Sequence, residues 1–397
     1  MDDHLAAGTR PDPVWLSADA ASFDAFRRLV DRATDPAHWP HAARVEQNVL
    51  VYDGPAVARA AADPAARRAL AAEWVAAFAT GPGGIVIAGA YPDPAPIDRA
   101  TALFTGIIED QHRTRSGGGD HFARPGANDR IWNALEKHCL ADPEGFALYY
   151  GNAAIALASE AWLGPNYQMT AQVNRVNPGG AAQTAHRDYH LGFMSPEEAA
   201  RFPAHVHRLS PALTLQGAVA HGDMPLETGP TLLLPYSQLL LEGYLAFERP
   251  AFQDWFRDHH VQLPLAKGDL LFFNPALMHG AGTNRTADRF RMANLLQVSS
   301  AFGRAMEAID RTRMTLALYP ALARLRAEDR LTETQADDAI AAAAEGYAFP
   351  TNLDTDPPLG GLAPKTQARL TREALRAGTA PEAFAALIRE HAARRRP

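Results

Sequence analysis

The sequence predicts a mainly β core with α additions, built as a closed antiparallel barrel surrounded by helices. Residues 167–176 and 270–273 read as strands, the first alternating polar and apolar positions and the second a short apolar run bounded by turn residues. His186 and Asp188 stand far from His279 in the chain, yet the three form one plausible set of metal ligands, and a closed antiparallel barrel brings such distant strand ends together. Segments with helical periodicity flank this region on both sides.

Taken in order, residues 1–13 form a ragged start. Asp63-Pro64 has the form of a helix cap followed by a first-turn proline, and Leu70, Trp74 and Phe78 then recur every four residues as one apolar stripe. The glycine-rich run 81–84 ends that helix, and Ile85-Val86-Ile87 reads as an outer strand. The run has no Gly-Lys-Ser/Thr ending and is not a phosphate loop. Residues 112–120, with three glycines and two arginines, have the composition of a lid or of a surface loop. Residues 134–162 read as mainly helical, 178–180 as a turn, and Ser195-Pro196-Glu197-Glu198 as the start of a short helix in an insertion spanning 192–211, whose His205 and His207 read as loop histidines. Lys267-Gly268-Asp269 turns into the 270–273 strand, which Asn274-Pro275 ends. Helical pattern returns from 301 to about 346, with a capping box at Thr332–Gln335, and a loop at 348–365 precedes a last amphipathic stretch carrying Ala383, Leu387 and Ile388.

These elements fit one domain over 1–397: a mainly helical flank with outer strands at 14–162, a core at 165–300 and a helical extension at 301–397. With 47% hydrophobic residues the chain can bury one large core. Its only cysteine, Cys139, rules out an internal disulfide framework and any multi-cysteine zinc site. A net charge of −7 argues against nucleic acid as partner despite the terminal Arg394-Arg395-Arg396. No 18-residue apolar run and no signal peptide are evident, so the expectation is a cytoplasmic enzyme acting on a small molecule without membrane contact. The last amphipathic stretch leaves monomer or homodimer open.

The chemistry centres on His186-Arg187-Asp188. In extended backbone, positions i and i+2 point to the same side, so His186 and Asp188 can grip one ion while Arg187 faces away. Two imidazoles and one carboxylate occupy one face of an octahedral Fe(II) and leave the other face to a co-substrate and oxygen. A His-x-Asp triplet by itself is weak evidence among 15 histidines, because surface pairs and buried hydrogen-bonded histidines are commoner.

The context of His279 adds specificity. His279-Gly280-Ala281-Gly282-Thr283-Asn284, with Arg289 and Arg291 beyond it, resembles the distal-histidine segment of the phytanoyl-CoA dioxygenase family of Fe(II)/2-oxoglutarate-dependent oxygenases. The segment Asp223–Ser237 resembles that family's stretch between the ligands, although Tyr236 and Gln238 stand where the family's Pro-Gly-Ser-His-like end has glycine and histidine. The resemblance covers roughly residues 165–300. It implies a double-stranded β-helix (jelly roll, cupin-like), with Fe(II) as metal and 2-oxoglutarate and O2 as co-substrates. Because Asp188 is present, unlike in the related halogenases, it also implies C–H oxidation with release of succinate and CO2.

An arginine fork suits the far carboxylate of 2-oxoglutarate. Both Arg289 and Arg291 qualify, on the expectation that they share one strand face, and Arg291 is favoured because it enters the strand as the family's anchor does. A salt bridge at the barrel mouth is the alternative for either. Gln172, Asn174 and Thr231 are further candidates for the co-substrate, with satisfaction of backbone groups at the barrel rim as the other reading of the two amides. Arg175, Tyr189, His190 and Arg115 are assigned to the organic substrate, and their charge favours a polar or anionic one. A hydroxylase is the leading expectation; a cupin-like metal-dependent isomerase or lyase and a catalytically silent binding protein are the alternatives.

Overall fold

The computed structural model describes residues 14–114 and 126–396. The predicted start at 1–13 and most of the glycine-rich lid candidate, from 115 to 120, lie outside the described residues. Eleven strands are named in chain order: β1 (Arg44–Glu46), β2 (Val49–Asp53), β3 (Gly84–Ala88), β4 (Asn128–Ile131), β5 (Gln168–Val176), β6 (Thr214–Ala220), β7 (Leu232–Leu233), β8 (Val261–Gln262), β9 (Leu270–Phe273), β10 (His279–Gly280) and β11 (Arg291–Ser299). They form an eight-stranded sheet ordered β1-β2-β3-β9-β6-β11-β5-β4 and a three-stranded sheet ordered β10-β7-β8. Every pairing is antiparallel except β2 with β3.

Strand alternation sorts the large sheet into two faces. Met169, Ala171 and Val173 of β5, Leu215 and Val219 of β6, Leu270 and Phe272 of β9, and Leu296 and Val298 of β11 pack into a core with helical residues such as Trp74, Phe78, Phe104 and Leu322. The opposite face contributes Val86, Ala218, Ala220, Leu271 and Phe273 to a second core, shared with Leu233 of the small sheet and with Leu263 and Leu265. Two facing sheets of mainly antiparallel strands, one of them backed by helices, make a jelly roll with α additions. At the shared centre the register is fixed by β11, where Leu295 lies opposite Gln172 of β5 and Ala218 of β6.

The helical stripe of Leu70, Trp74 and Phe78 lies in Pro64–Ala79, whose first turn is capped by the Asp63 side chain accepting from the Ala66 amide. The Thr332 to Gln335 capping box opens the helix Glu333–Ala343. Two expectations are corrected. β3 is an interior strand between β2 and β9, because the apolar run Ile85-Val86-Ile87 is buried on both faces. His207 is likewise no loop histidine; it is buried in the helix Ala204–Leu209 with Nε2 bonded to the Ala199 carbonyl. The apolar face of the final helix, Pro381–Arg394, is used within the chain, where Phe384 and Ile388 pack on Tyr319 and Leu370. Among the described residues no helix is long and apolar enough to cross a membrane.

Candidate metal centre

The extended segment that carries His186 does not become a full strand. It makes one antiparallel bridge to β10, with the His186 amide donating to the His279 carbonyl at 2.9 Å and the His279 amide returning to His186 at 3.1 Å. That bridge sets the two imidazoles beside each other, and the i, i+2 alternation adds Asp188 to the same side. The His279 Nε2 lies 3.4 Å from Asp188 Oδ2 and the His186 Nε2 lies 3.7 Å from Asp188 Oδ1. One ligand atom from each residue falls within 4.8 Å of the others. Cis ligands bound about 2.1 Å from one ion sit about 3 Å apart, so a small contraction suffices for chelation.

Outer contacts fix which atoms face the ion. His186 Nδ1 is 2.9 Å from the Thr184 carbonyl and His279 Nδ1 is 2.8 Å from the Leu277 carbonyl. A carbonyl only accepts, so each Nδ1 carries the proton and each Nε2 lone pair is left for a metal. The Gln216 Nε2 donates to Asp188 Oδ2. Burial pushes the Asp188 carboxyl up, but His186 and His279 beside it, in their protonated form before a metal displaces the Nε2 protons, together with the Gln216 amide outweigh this and hold it well below the usual carboxylate range. The donor set, two neutral imidazoles and a carboxylate on one side of a pocket, fits Fe(II).

Arg187 faces away, as the alternation requires. It is 1% exposed, with its guanidinium donating to the Ser237 and Leu240 carbonyls and lying 5.6 Å from the Tyr244 ring centre.

Of the residues proposed from sequence, Arg291, Gln172, Asn174 and Thr231 line the same pocket as the three ligands. Arg291 opens β11 and is 7% exposed, and among the described residues no carboxylate pairs with it; its Nη1 is 3.4 Å from the Gly282 carbonyl. Burial lowers its guanidinium to about 10, which still leaves it charged at neutral pH. Arg289 does not share its face. It precedes the strand, is exposed, and sits 3.9 Å from Glu227 on the surface, because alternation applies only once the strand begins.

The substrate assignments fare differently. Arg175 points to the other side of β5 from Gln172 and Asn174, where it pairs with Asp129 at 2.9 Å and lies 4.7 Å from the Phe290 ring centre. Tyr189 is buried with its hydroxyl donating to Gln297 Oε1, and His190 is half-buried with Nδ1 3.4 Å from Ser210 Oγ; neither lines the pocket. Both have positive φ, 66° and 42°, so the chain reverses directly after the carboxylate ligand. Arg115 lies outside the described residues. The pocket instead presents groups that the sequence reading passed over: Gln216, Gln297, Arg130, Trp132, Phe193 and Met306. Gln216 had a signal, as the one amide in the small and apolar strand β6.

Three comparisons bear on this geometry. The signature described as phytanoyl-CoA dioxygenase (PhyH) matches residues 64–293, more than half of the chain. No curated protein matches. Among solved structures, the non-heme alpha ketoglutarate dependent epimerase SnoN from nogalamycin biosynthesis is 20% identical, with a TM-score of 0.40 over 60% of this chain and 82% of its own. AviO1 from Streptomyces viridochromogenes Tue57 is 18% identical, with a TM-score of 0.42 over 60% and 97% of the two chains, and EvdMO1 is 19% identical, with a TM-score of 0.41 over 58% and 50%. On the family match the chain belongs to the phytanoyl-CoA dioxygenase family and is a non-haem iron, 2-oxoglutarate-dependent enzyme.

Proposed function

We propose that the protein hydroxylates an unactivated C–H bond of a small polar metabolite. His186, Asp188 and His279 hold Fe(II), and Arg291 receives the far carboxylate of 2-oxoglutarate, with Thr231, Gln172 and Asn174 available to the same molecule. When bound, the metal with 2-oxoglutarate and O2 supplies the oxidising power: one oxygen atom enters the substrate, the other enters succinate, and CO2 leaves. The chain's own part is to present two Nε2 lone pairs and one carboxylate on a single face, to keep Arg291 charged and dry, and to hold the substrate over the open face.

The observation that carries this reading is the buried Arg291. A cation without a carboxylate partner among the described residues, in the pocket that holds the ligand triad, is a costly arrangement unless a ligand brings the negative charge. Two of the cues for the organic substrate fall away, since Arg175 is paired with Asp129 and His190 does not line the pocket, whereas Arg130 does line it, and the substrate is taken to be polar. A cytoplasmic setting is part of the proposal, supported by the single, buried and unpaired Cys139. Anaerobic addition of Fe(II) and 2-oxoglutarate should produce the weak visible charge-transfer band of the chelate. Succinate should then form in step with a product heavier by one oxygen atom. Metal binding with no consumption of 2-oxoglutarate would instead indicate a cupin-like isomerase or lyase, and ligand binding without turnover a silent binding protein.

A further inference from the structure

Gln216 occupies an unusual position. It is 4% exposed on β6, lines the metal pocket, and gives its Nε2 hydrogen to the Asp188 carboxylate, while its Oε1 is buried with no hydrogen-bond partner. The amide cannot turn over to relieve this, since that would set Oε1 against a carboxylate oxygen, acceptor against acceptor. Its cross-strand neighbours do not supply one. Phe273 has no donor to offer, and the Gln297 amide, whose Oε1 accepts from the Tyr189 hydroxyl, makes no hydrogen bond to Gln216 Oε1. A buried acceptor left bare is costly, so the missing donor is expected from a bound molecule.

Charge narrows what that molecule is. Among the described residues lining the pocket, the only carboxylate is Asp188, which the metal claims, so an ammonium group would find no counter-ion there. A neutral hydroxyl fits. We infer that Gln216 joins the metal site to substrate choice: its N–H holds Asp188 in place, and its carbonyl oxygen accepts an O–H carried by the substrate close to the carbon that is oxidised. The substrate class is therefore a hydroxyl-bearing molecule without an ammonium group at this position. This rests on the iron and 2-oxoglutarate reading above.

The test uses the full chain loaded with Mn(II) and 2-oxoglutarate under nitrogen, and reads the paramagnetic relaxation of two probes, cyclohexanol and methoxycyclohexane. The ether keeps the oxygen acceptor and loses only the donor. Cyclohexanol should bind roughly three- to tenfold better, the worth of one hydrogen bond. Gln216→Met, of similar length with no amide, should erase that preference and also weaken Mn(II) retention, read separately from the EPR signal of free Mn(II). Equal binding of the two probes, binding of neither, or a preference that survives in Gln216→Met would overturn the inference. The wild-type comparison stands even if the variant fails to fold. Failure of the wild-type protein to take up Mn(II) with 2-oxoglutarate would defeat the parent reading and this one together, whereas loading without alcohol preference defeats this one alone.

Discussion

Replacing Arg291 by alanine should separate co-substrate binding from metal binding. Arg291 is 7% exposed, its only hydrogen-bond acceptor among the described residues is a carbonyl 3.4 Å away, and burial has already lowered its pKa to about 10. A 2-oxoglutarate carboxylate bound there would meet a desolvated, charged fork, and truncating one partner of such a pair costs about 2–5 kcal/mol. At 1.4 kcal/mol per tenfold, the dissociation constant of 2-oxoglutarate should rise by roughly 30- to 4000-fold. Fe(II) affinity without co-substrate should stay within about twofold, because Arg291 is not a ligand and its loss removes a repulsive charge at most. Arg291→Lys should recover part of the affinity, since the charge returns without the fork. Arg289→Ala, on the exposed rim, should change binding by less than about 0.5 kcal/mol. The assay is an anaerobic titration following the charge-transfer band, with metal content measured in parallel. Unchanged 2-oxoglutarate affinity in Arg291→Ala, with metal loading intact, would refute the reasoning, and a large loss in Arg289→Ala would redirect it.

Asp188→Ala removes a ligand rather than a supporting contact, so Fe(II) affinity measured by competition with a chelator should fall by more than the roughly 10- to 100-fold typical of outer-shell losses. Gly243→Ala should destabilise by about 2 kcal/mol or more, because a Cβ there meets the Arg187 guanidinium; adding Arg187→Met should recover part of the loss, so that additive melting shifts would count against the clash. His138 is fully buried among Phe104, Phe146, Tyr149 and Tyr150, and burial lowers its pKa from 6.5 to about 4. The unfolded chain therefore binds the proton first, so stability is whole above pH 6.5 and drains away as pH falls toward 4, to a total of about 3 kcal/mol from this residue. His138→Phe should flatten that slope in calorimetric melts between pH 7 and 5, and an unchanged slope would place the acid sensitivity elsewhere, with His221 next in line at about 3.

What the sequence disclosed was governed by period and spacing. His186, Asp188 and His279 were legible because ligand chemistry needs those atoms at an i, i+2 separation and at a returning strand end. The stripe of Leu70, Trp74 and Phe78 was legible for the same reason. Arg289 was misjudged because a strand's first residue is invisible in sequence, and one residue of error decides whether alternation holds. Arg175 was misjudged because an arginine beside two pocket amides reads as a pocket residue until parity assigns it to the other face. Gln216 carried only a faint local mark, one amide in an apolar strand, and Trp132, just after β4, carried none; β6 and β4 acquire their meaning only when β11 and β5 bring them to the pocket.

Strand β11 keeps chemistry and stability on separate residues. Arg291, Ala293, Leu295 and Gln297 look into the pocket, while Met292, Asn294, Leu296 and Val298 look toward the helices. Substitutions in the first set can therefore reshape the pocket without loosening the second. The same arrangement makes the strand brittle to changes of length. One inserted residue would exchange the two sets, sending Arg291 into an apolar core and a methionine into its place, so drift along β11 should proceed by substitution alone.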